Sequence, residues 1–298
     1  MRINENAIDN GKGQPIYKQT AYDLDVQPVT LQTTQGAVDV LVDPAVKELL
    51  LQPHRTYSPT SGGMYLNVST TKEEKKQWNI YGKDGKGLKL HQFVVGSATG
   101  LLPDTPIDHI NKRDDNRFNS LRLVTKGINN ANGSGISKGG NPSVRLTTDR
   151  RYYRVETRID GTPHHFFTHK DKATANQAAQ VVLHYRSVLH AERSNMLMGR
   201  HLARCFAADV ETQMAVNWTN TWHRLTTAAM SLEHYYLCGE FDKFPATPAV
   251  PVKELKALCC AVADGMDVTD AIAKAKAMAV KNERMVLLAL IDAAAVAA

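Results

Sequence analysis

Cysteine is scarce in this 298-residue chain, and its four cysteines have no spacing that a structural zinc site or a disulfide framework uses. Cys259 and Cys260 are adjacent, while Cys205 and Cys238 stand alone. Apolar runs are also short, since no stretch approaches the roughly 20 residues of a membrane-spanning helix. Residues 1–14 lack the apolar region of a signal peptide. These absences favour a protein of a reduced cytoplasm, with no structural zinc and no membrane partner.

Positive charge is concentrated in one part of the chain. The formal net charge is +6 and the isoelectric point is about 9.0. Residues 107–195 hold 15 Lys and Arg against 8 Asp and Glu, which leaves the remainder close to neutral. A basic surplus predicts a polyanionic partner, although a solvated basic face is the common alternative. The length predicts two or three domains, and 43% hydrophobic residues are enough to form their cores.

The most informative segment is 107–130, in which Asp108 and His109 precede an asparagine-rich turn and a further asparagine, Asn129. Phosphodiester hydrolysis needs a base that deprotonates water and a hard cation that neutralises charge on the phosphate. An imidazole titrates near neutral pH and can be the base, while carboxylate and amide oxygens suit magnesium or manganese. The residues therefore indicate a metal-assisted nuclease site. The alternative is a loop dipeptide followed by asparagines that only form turns.

The same segment resembles the core of the HNH homing endonucleases of phages and introns. The matching pieces are Asp108-His109-Ile110-Asn111, Asp115-Asn116-Arg117, Leu121-Arg122, Leu123-Val124-Thr125 and Asn129-Asn130. Three upstream segments resemble that family's lead-in more loosely: Val40 to Asp43, Gly63 to Leu66, and Leu90 to Gln92. The resemblance implies a ββα-metal framework, double-stranded DNA as partner, and the host cytoplasm if the chain is phage-encoded. It also implies one Mg²⁺ or Mn²⁺ ion on Asp108 and Asn129, with His109 as general base.

One position departs from that family. The asparagine that steadies the base histidine normally precedes the Leu-Arg pair, and this chain has Ser120 there, with Asn119 one step earlier. A hydroxyl is shorter than an amide and offers fewer hydrogen bonds, so we expect Ser120→Asn to raise activity if histidine orientation is limiting. Asp108 and His109 are neighbours, so we expect irregular backbone between them if both face one phosphate. His91 has no assigned chemistry, and a structural role fits it better than a catalytic one.

A second resemblance covers the segment behind this core. Three strands are predicted between Ser143 and Phe167, with a hairpin at Asp160-Gly161, and a helix follows from about Lys172 to Ala191. This order resembles the Apetala/ethylene-response type of DNA-binding domain, which lays a sheet in the major groove. By that resemblance six residues are candidates for DNA contact: Arg145, Arg150, Arg151, Tyr152, Arg154 and Arg158. The alternative is a sheet with a solvated arginine face. His164, His165 and His169 are interpreted as strand and turn positions rather than metal ligands.

The sequence thus predicts an α+β protein in four parts. These are a polar arm over residues 1–34, a nuclease domain with β lead-in over 35–133, a three-stranded sheet plus helix over 134–192, and a helical C-terminal region over 193–298. In the last part, Lys253 to Ala298 is predicted to form two helices, with Thr269 as an N-cap. We expect a metal-dependent DNA endonuclease, nicking or cutting both strands. Two alternatives stay open: a DNA-binding regulator derived from an inactive HNH nuclease, and an assembly protein of a phage particle.

Overall fold

The chain has an α+β fold of small antiparallel sheets and helices, seen in a computed structural model. The structure describes residues 8–9, 15–16, 28–60, 65–78, 87–110, 114–133, 143–159, 161–208, 226–239 and 249–297. The strands are β1 (Ile8–Asp9), β2 (Pro15–Ile16), β3 (Val29–Thr33), β4 (Gly36–Val40), β5 (Tyr57–Pro59), β6 (Leu66–Val68), β7 (Leu88–Lys89), β8 (Ile107–His109), β9 (Leu121–Leu123), β10 (Val144–Leu146), β11 (Tyr153–Ile159) and β12 (Thr162–His169). The helices are α1 (Pro44–Leu50), α2 (Lys72–Gln77), α3 (Leu90–Thr99), α4 (Lys126–Gly133), α5 (Lys172–Ala207), α6 (Thr226–Cys238), α7 (Val252–Ala263) and α8 (Val268–Ala297).

Two compact units share the chain. Residues 19–123 and 195–241 form one, which we call the hairpin unit, and residues 1–18, 124–194 and 242–298 form the other, which we call the sheet unit. This grouping differs from the predicted series of consecutive domains, because each unit collects segments that are distant in sequence. Composition and linker signals show where the local composition of a chain changes, but they do not show which segments pack together.

The hairpin unit is built from three small antiparallel sheets, β3–β4, β5–β6–β7 and β8–β9. Helix α3 supplies the centre of its core, where Phe93, Val94 and Val95 are fully buried. Two predictions for this region are wrong. Part of the predicted polar arm forms β3, because the alternation in Val29–Thr33 turns Val29 and Leu31 inward. The lead-in to the nuclease domain, predicted to consist of β structure, also contains helices α1, α2 and α3.

A buried ion pair joins the first part of the hairpin unit to helix α2. The Arg55 guanidinium donates to both carboxylate oxygens of Glu74 and also, at 2.8 Å, to the carbonyl of Ser69. Glu74 accepts the backbone N–H of Thr71 at 2.8 Å, which completes a capping box at the start of α2. Although burial raises the pKa of Glu74, these hydrogen bonds lower it below its usual value. Removal of either partner would leave a buried charge, which typically costs about 3 to 5 kcal/mol.

The sheet unit contains the three strands that the sequence predicts, in the order β10–β11–β12. Strands β11 and β12 form a hairpin in which Ile159 pairs with Thr162, and Gly161 adopts the positive φ of 85° that such a two-residue turn favours. The alternating residues Val155, Thr157 and Ile159 of β11 are buried on the inner face. A bulge between Val155 and Glu156 shifts the register, so that Phe166 also enters the core.

Helices cover the inner face of this sheet. Helix α5 contributes Ala175, Ala178, Val182 and Tyr185, all fully buried. The C-terminal helices belong to the same core. The fully buried residues of α8 recur at every fourth position, as Ala271, Ala275 and Ala279. The predicted pair of C-terminal helices is therefore present, but it packs with the sheet. The predicted N-cap is wrong, because Asp267 rather than Thr269 accepts the first N–H groups of α8.

Candidate active site

The Asp-His pair lies on the first strand of the two-stranded β8–β9 hairpin. In this ladder Asp108 pairs with Arg122, and His109 pairs with Leu121. The N–H of Ile110 extends the pairing by donating to the carbonyl of Ser120 at 2.8 Å. The expectation of irregular backbone at this point is therefore wrong. Consecutive strand residues project to opposite faces, so a phosphodiester that meets both side chains must lie across the end of the strand.

The imidazole of His109 is held by an amide. Its Nε2 lies 3.0 Å from Oδ1 of Asn116, and the Nδ2 of that amide donates to the carbonyl of Asp114 at 3.2 Å, which fixes which way the amide points. An amide oxygen only accepts hydrogen bonds, so Nε2 of His109 is the donor. In the neutral ring the lone pair is then on Nδ1, which is the state that a general base requires.

Backbone pairing with a distant strand end holds the loop that carries Asn116. The N–H of Leu41 donates to the carbonyl of Asp114 at 2.9 Å, and the N–H of Asn116 donates back to Leu41 at 2.8 Å. The carboxylate of Asp43 accepts the N–H of Phe118 at 2.8 Å. Burial raises the pKa of Asp43, although the bond from Phe118 acts in the opposite direction. The segment after β4 thus anchors the loop on both sides of Asn116.

A buried carboxylate organises the rest of the loop. Asp115 accepts two bonds from the Arg117 guanidinium, at 2.8 and 2.6 Å, and one from the Ser120 hydroxyl at 2.8 Å. All three residues are at most 5% exposed. Burial raises the pKa of Asp115, but the bonds from Arg117 and Ser120 lower it below its usual value. Asp115 is therefore a buried anion at neutral pH that closes the loop on itself.

The structure does not show Ser120 or Asn119, the residues predicted to orient His109, bonded to that histidine. The hydroxyl of Ser120 is committed to Asp115, while Asn116 occupies the position beside His109. Asn119 has its backbone in the 3-10 turn Phe118–Ser120, and its side chain lies outside what the structure describes. The sequence did contain a signal for Asn116, since it lies within the matching Asp115-Asn116-Arg117 turn. Its reach to the imidazole depends on the fold of the loop.

Two further rings pack against the imidazole. The ring of His91 meets that of His109 edge-on with 5.1 Å between centroids, and Tyr65 stacks on His109 at 6.1 Å. Tyr65 also contacts His91 edge-on at 5.3 Å, and the Lys89 ammonium lies over the Tyr65 ring. Burial, together with the nearby charges of His109 and Lys89, lowers the pKa of His91 to about 3. A neutral, buried His91 fits the structural role that the sequence favours.

The carboxylate of Asp108 is paired across the hairpin. Arg122 donates to its Oδ2 through Nη2 at 2.8 Å and through Nε at 3.1 Å. The two side chains are 18% and 16% exposed, so solvent reaches the pair from one side. A carboxylate is a hard oxygen donor of the kind that Mg²⁺ and Mn²⁺ prefer. The chemistry of this group therefore fits the predicted ion.

The other predicted metal ligand, Asn129, lies in the first turns of α4, where its N–H donates to the carbonyl of Thr125 at 2.9 Å. It belongs to the sheet unit, whereas Asp108 belongs to the hairpin unit. A shared ion on these two residues stays a prediction. Among the described residues, no group of three or more His, Cys, Asp and Glu side chains is arranged to hold a metal.

The outer face of the three-stranded sheet carries the predicted DNA contacts. Arg145, Arg154 and Arg158 are exposed, and Arg145 pairs directly with Arg154 across β10 and β11. Like charges at directly opposed strand positions destabilise a sheet. Glu156 offsets part of this repulsion, with an oxygen 3.2 Å from Arg154. Three guanidiniums with one carboxylate leave a net positive face.

The turn between β10 and β11 carries the remaining candidates. Asp149 accepts from the hydroxyl of Thr147 and from the N–H of Arg151, which closes the turn. Arg150 adopts a φ of 56°, in the left-handed region that a residue with a Cβ atom disfavours. Tyr152 is half-buried, with the Lys170 ammonium 5.9 Å from its ring centroid. The turn therefore presents Arg150 and Arg151 at its exposed tip.

The three histidines near the sheet occupy strand positions in β12, as the sequence predicts. His165 lies beside Thr168, with 2.9 Å between Nε2 and the hydroxyl oxygen. Burial lowers the pKa of His164 and, with help from the charges of Arg154 and Lys256, that of His165. Both rings are therefore mainly neutral at pH 7.

Comparison of the chain with models of protein families, with curated proteins and with solved structures found no match. Within the described part of the chain, no helix is both long enough and apolar enough to cross a bilayer.

Proposed function

We propose that the chain is a metal-dependent DNA endonuclease of the HNH homing type. The observation that carries the proposal is the bond between Nε2 of His109 and the amide oxygen of Asn116, at the residue that follows Asp108 on β8. This bond selects the tautomer that accepts a proton at Nδ1. The chain order of β8, β9 and α4 is also that of the ββα framework that the sequence resemblance implies.

His109 removes the proton from the attacking water in the proposed reaction. The water oxygen forms a bond to phosphorus, the bond to the leaving oxygen breaks, and the proton passes to Nδ1 of His109. Asn116 keeps the imidazole ring in place. Its amide oxygen still accepts the Nε2–H bond after Nδ1 has taken up the proton and the ring is positively charged. Asp108 would hold one Mg²⁺ or Mn²⁺ ion, which would neutralise charge on the phosphate and on the leaving oxygen.

The sheet supplies the DNA contact in this proposal. Arg145, Arg154 and Arg158 present guanidiniums on one face, and Arg150 and Arg151 extend it at the adjacent turn. Phosphate contacts give affinity that does not depend on sequence, while contacts to base edges select the site. A bound polyanion would also reduce the repulsion between Arg145 and Arg154. DNA binding would therefore explain why two arginines face each other across these strands.

The experiment that tests the proposal is incubation of the purified protein with long duplex DNA, with Mg²⁺ or with a chelator, followed by mapping of new ends. We expect cleavage with Mg²⁺ only. His109→Ala and Asp108→Ala should abolish it while DNA binding persists. His54→Ala removes an exposed histidine of the same unit and should cleave as wild type does. DNA binding without any metal-dependent ends would instead favour the regulator, and equal cleavage by His109→Ala would remove the proposed base.

A further inference from the structure

The Asp108–Arg122 pair creates a conflict at the proposed metal ligand. Both guanidinium contacts, from Nη2 and Nε, are made to the same carboxylate oxygen, and the pair is fixed at directly opposed positions of the hairpin. With both side chains more than four-fifths buried, solvent screens their charges only in part. A divalent cation that binds Asp108 therefore meets an existing positive charge within a few ångströms.

A phosphodiester offers Arg122 another partner. The reacting phosphate must come within reach of His109, and it also reaches the Asp108–Arg122 pair if it lies across the end of β8. A planar guanidinium matches two oxygens of a phosphate as well as it matches a carboxylate. When the backbone phosphate approaches, Arg122 can exchange one anionic partner for another without moving to a different part of the hairpin.

We propose that Arg122 couples metal binding to DNA binding: it occupies Asp108 in the free protein and moves to the scissile phosphate in the complex. This inference rests on the proposed nuclease function. Its consequence is reciprocal, because DNA that draws Arg122 away strengthens metal binding by the same factor by which the metal strengthens DNA binding. The free protein then holds metal weakly, and the hydrolytic site is completed only on DNA.

The test is titration with Mn²⁺, followed by the electron paramagnetic resonance signal of the free ion, with and without excess duplex DNA. A His109→Ala background keeps the DNA intact during the measurement. We expect DNA to tighten Mn²⁺ binding about tenfold or more, within the usual range of coupling between sites. Arg122→Gln should bind Mn²⁺ about tenfold more tightly without DNA and should lose most of the gain that DNA provides.

Two variants sharpen the result. Arg122→Lys keeps the charge but loses the two-pronged geometry, so it should bind Mn²⁺ weakly without DNA and gain less than wild type from DNA. Arg122→Lys also replaces Arg122→Gln in the test if circular dichroism shows that Arg122→Gln is unfolded. In that case, an increase in Mn²⁺ affinity on DNA equal to that of wild type would overturn the inference. Arg145→Gln removes the same charge from the sheet unit. It should weaken DNA binding and leave Mn²⁺ affinity without DNA unchanged.

The outcomes separate this inference from the proposed function. Unchanged Mn²⁺ affinity in folded Arg122→Gln, alongside metal-dependent cleavage by wild type, would overturn the coupling and leave the nuclease standing. Absence of both Mn²⁺ binding and cleavage in wild type would overturn the two together. Tighter Mn²⁺ binding in Arg122→Gln with a reduced DNA effect supports the exchange of partners.

Discussion

Asn116→Ala is the perturbation that most directly tests how the imidazole is oriented. The change removes the acceptor that lies 3.0 Å from Nε2 of His109. Loss of an orienting bond to a functional histidine typically costs about 10- to 100-fold, which is roughly 1.4 to 2.7 kcal/mol of transition-state stabilisation. We expect that loss in kcat with KM nearly unchanged, because the ring contacts the reacting water and not the bulk of the DNA.

Ser120→Ala is the matched control, because sequence resemblance assigns the orienting role to position 120. The structure commits that hydroxyl to Asp115, which keeps its two bonds from Arg117 after the change. We expect a loss of about 1 kcal/mol in the free energy of unfolding, with kcat within about twofold of wild type. Asn116→Asp keeps an acceptor for Nε2 and should retain most of the activity.

The assay is single-turnover cleavage of a defined duplex with saturating Mg²⁺, combined with urea unfolding of each variant. Wild-type kcat in folded Asn116→Ala would refute the assignment of the orienting bond. A 100-fold loss in folded Ser120→Ala would return that role to position 120. The pair of variants therefore decides between the structure and the sequence resemblance.

Four further outcomes follow from the structure. The double variant Arg145→Gln, Arg158→Gln should weaken DNA binding and reduce the slope of log affinity against log salt by about 2. The control variant Lys253→Gln, Lys274→Gln removes the same charge from exposed helix positions and should change that slope less. Stability should fall as the pH drops below about 4, because the pKa values of Glu74 and Asp115 are lowered in the folded state and their contribution is lost on protonation. Glu73→Gln, a change at an exposed neighbour, should show the same acid transition as wild type. A wild-type free energy of unfolding that does not fall below about pH 4 would contradict the lowered pKa values. Arg150→Gly should raise stability by about 0.5 to 1 kcal/mol, since it relieves the left-handed φ, while weakening DNA binding; a lower melting temperature would show that the turn is unstrained. Ser120→Asn, which the sequence alone predicts to raise activity, should instead destabilise the chain, because the larger amide must displace the buried bond to Asp115; a gain in kcat without loss of stability would restore the original prediction.

Local signals predicted the elements whose causes are local. The alternation of β11 and the Asp160-Gly161 turn specify a hairpin without reference to the rest of the chain, and the inner face of β11 is buried as expected. Helix α2 had a readable signal in the Thr71 and Glu74 capping box. Helix α3 was harder to predict, because nine of its ten residues are buried and periodicity cannot separate a buried helix from a buried strand.

The orientation of the base could not be predicted from the motif, because its cause is tertiary. Asn116 reaches His109 only because Leu41 pairs with the backbone on either side of Asp115 and because Asp43 holds Phe118. These contacts join residues about 75 positions apart. A motif comparison counts positions along the strand. It therefore assigns the orienting role to Ser120, which immediately precedes the Leu-Arg pair of β9.

This arrangement gives a physical reason for tolerating serine at position 120. An orienting asparagine at the strand end would depend on the short β8–β9 ladder alone, whereas Asn116 depends on a loop with two independent supports. One support is the backbone pairing to Leu41, and the other is the buried Asp115 with its bonds from Arg117 and Ser120. In this structure the hydroxyl at position 120 closes the Asp115 network, and the amide that contacts the imidazole comes from Asn116. If the chain is the proposed nuclease, the orienting group lies in the loop rather than on the strand, and base catalysis at His109 would depend on β4 and the segment that follows it.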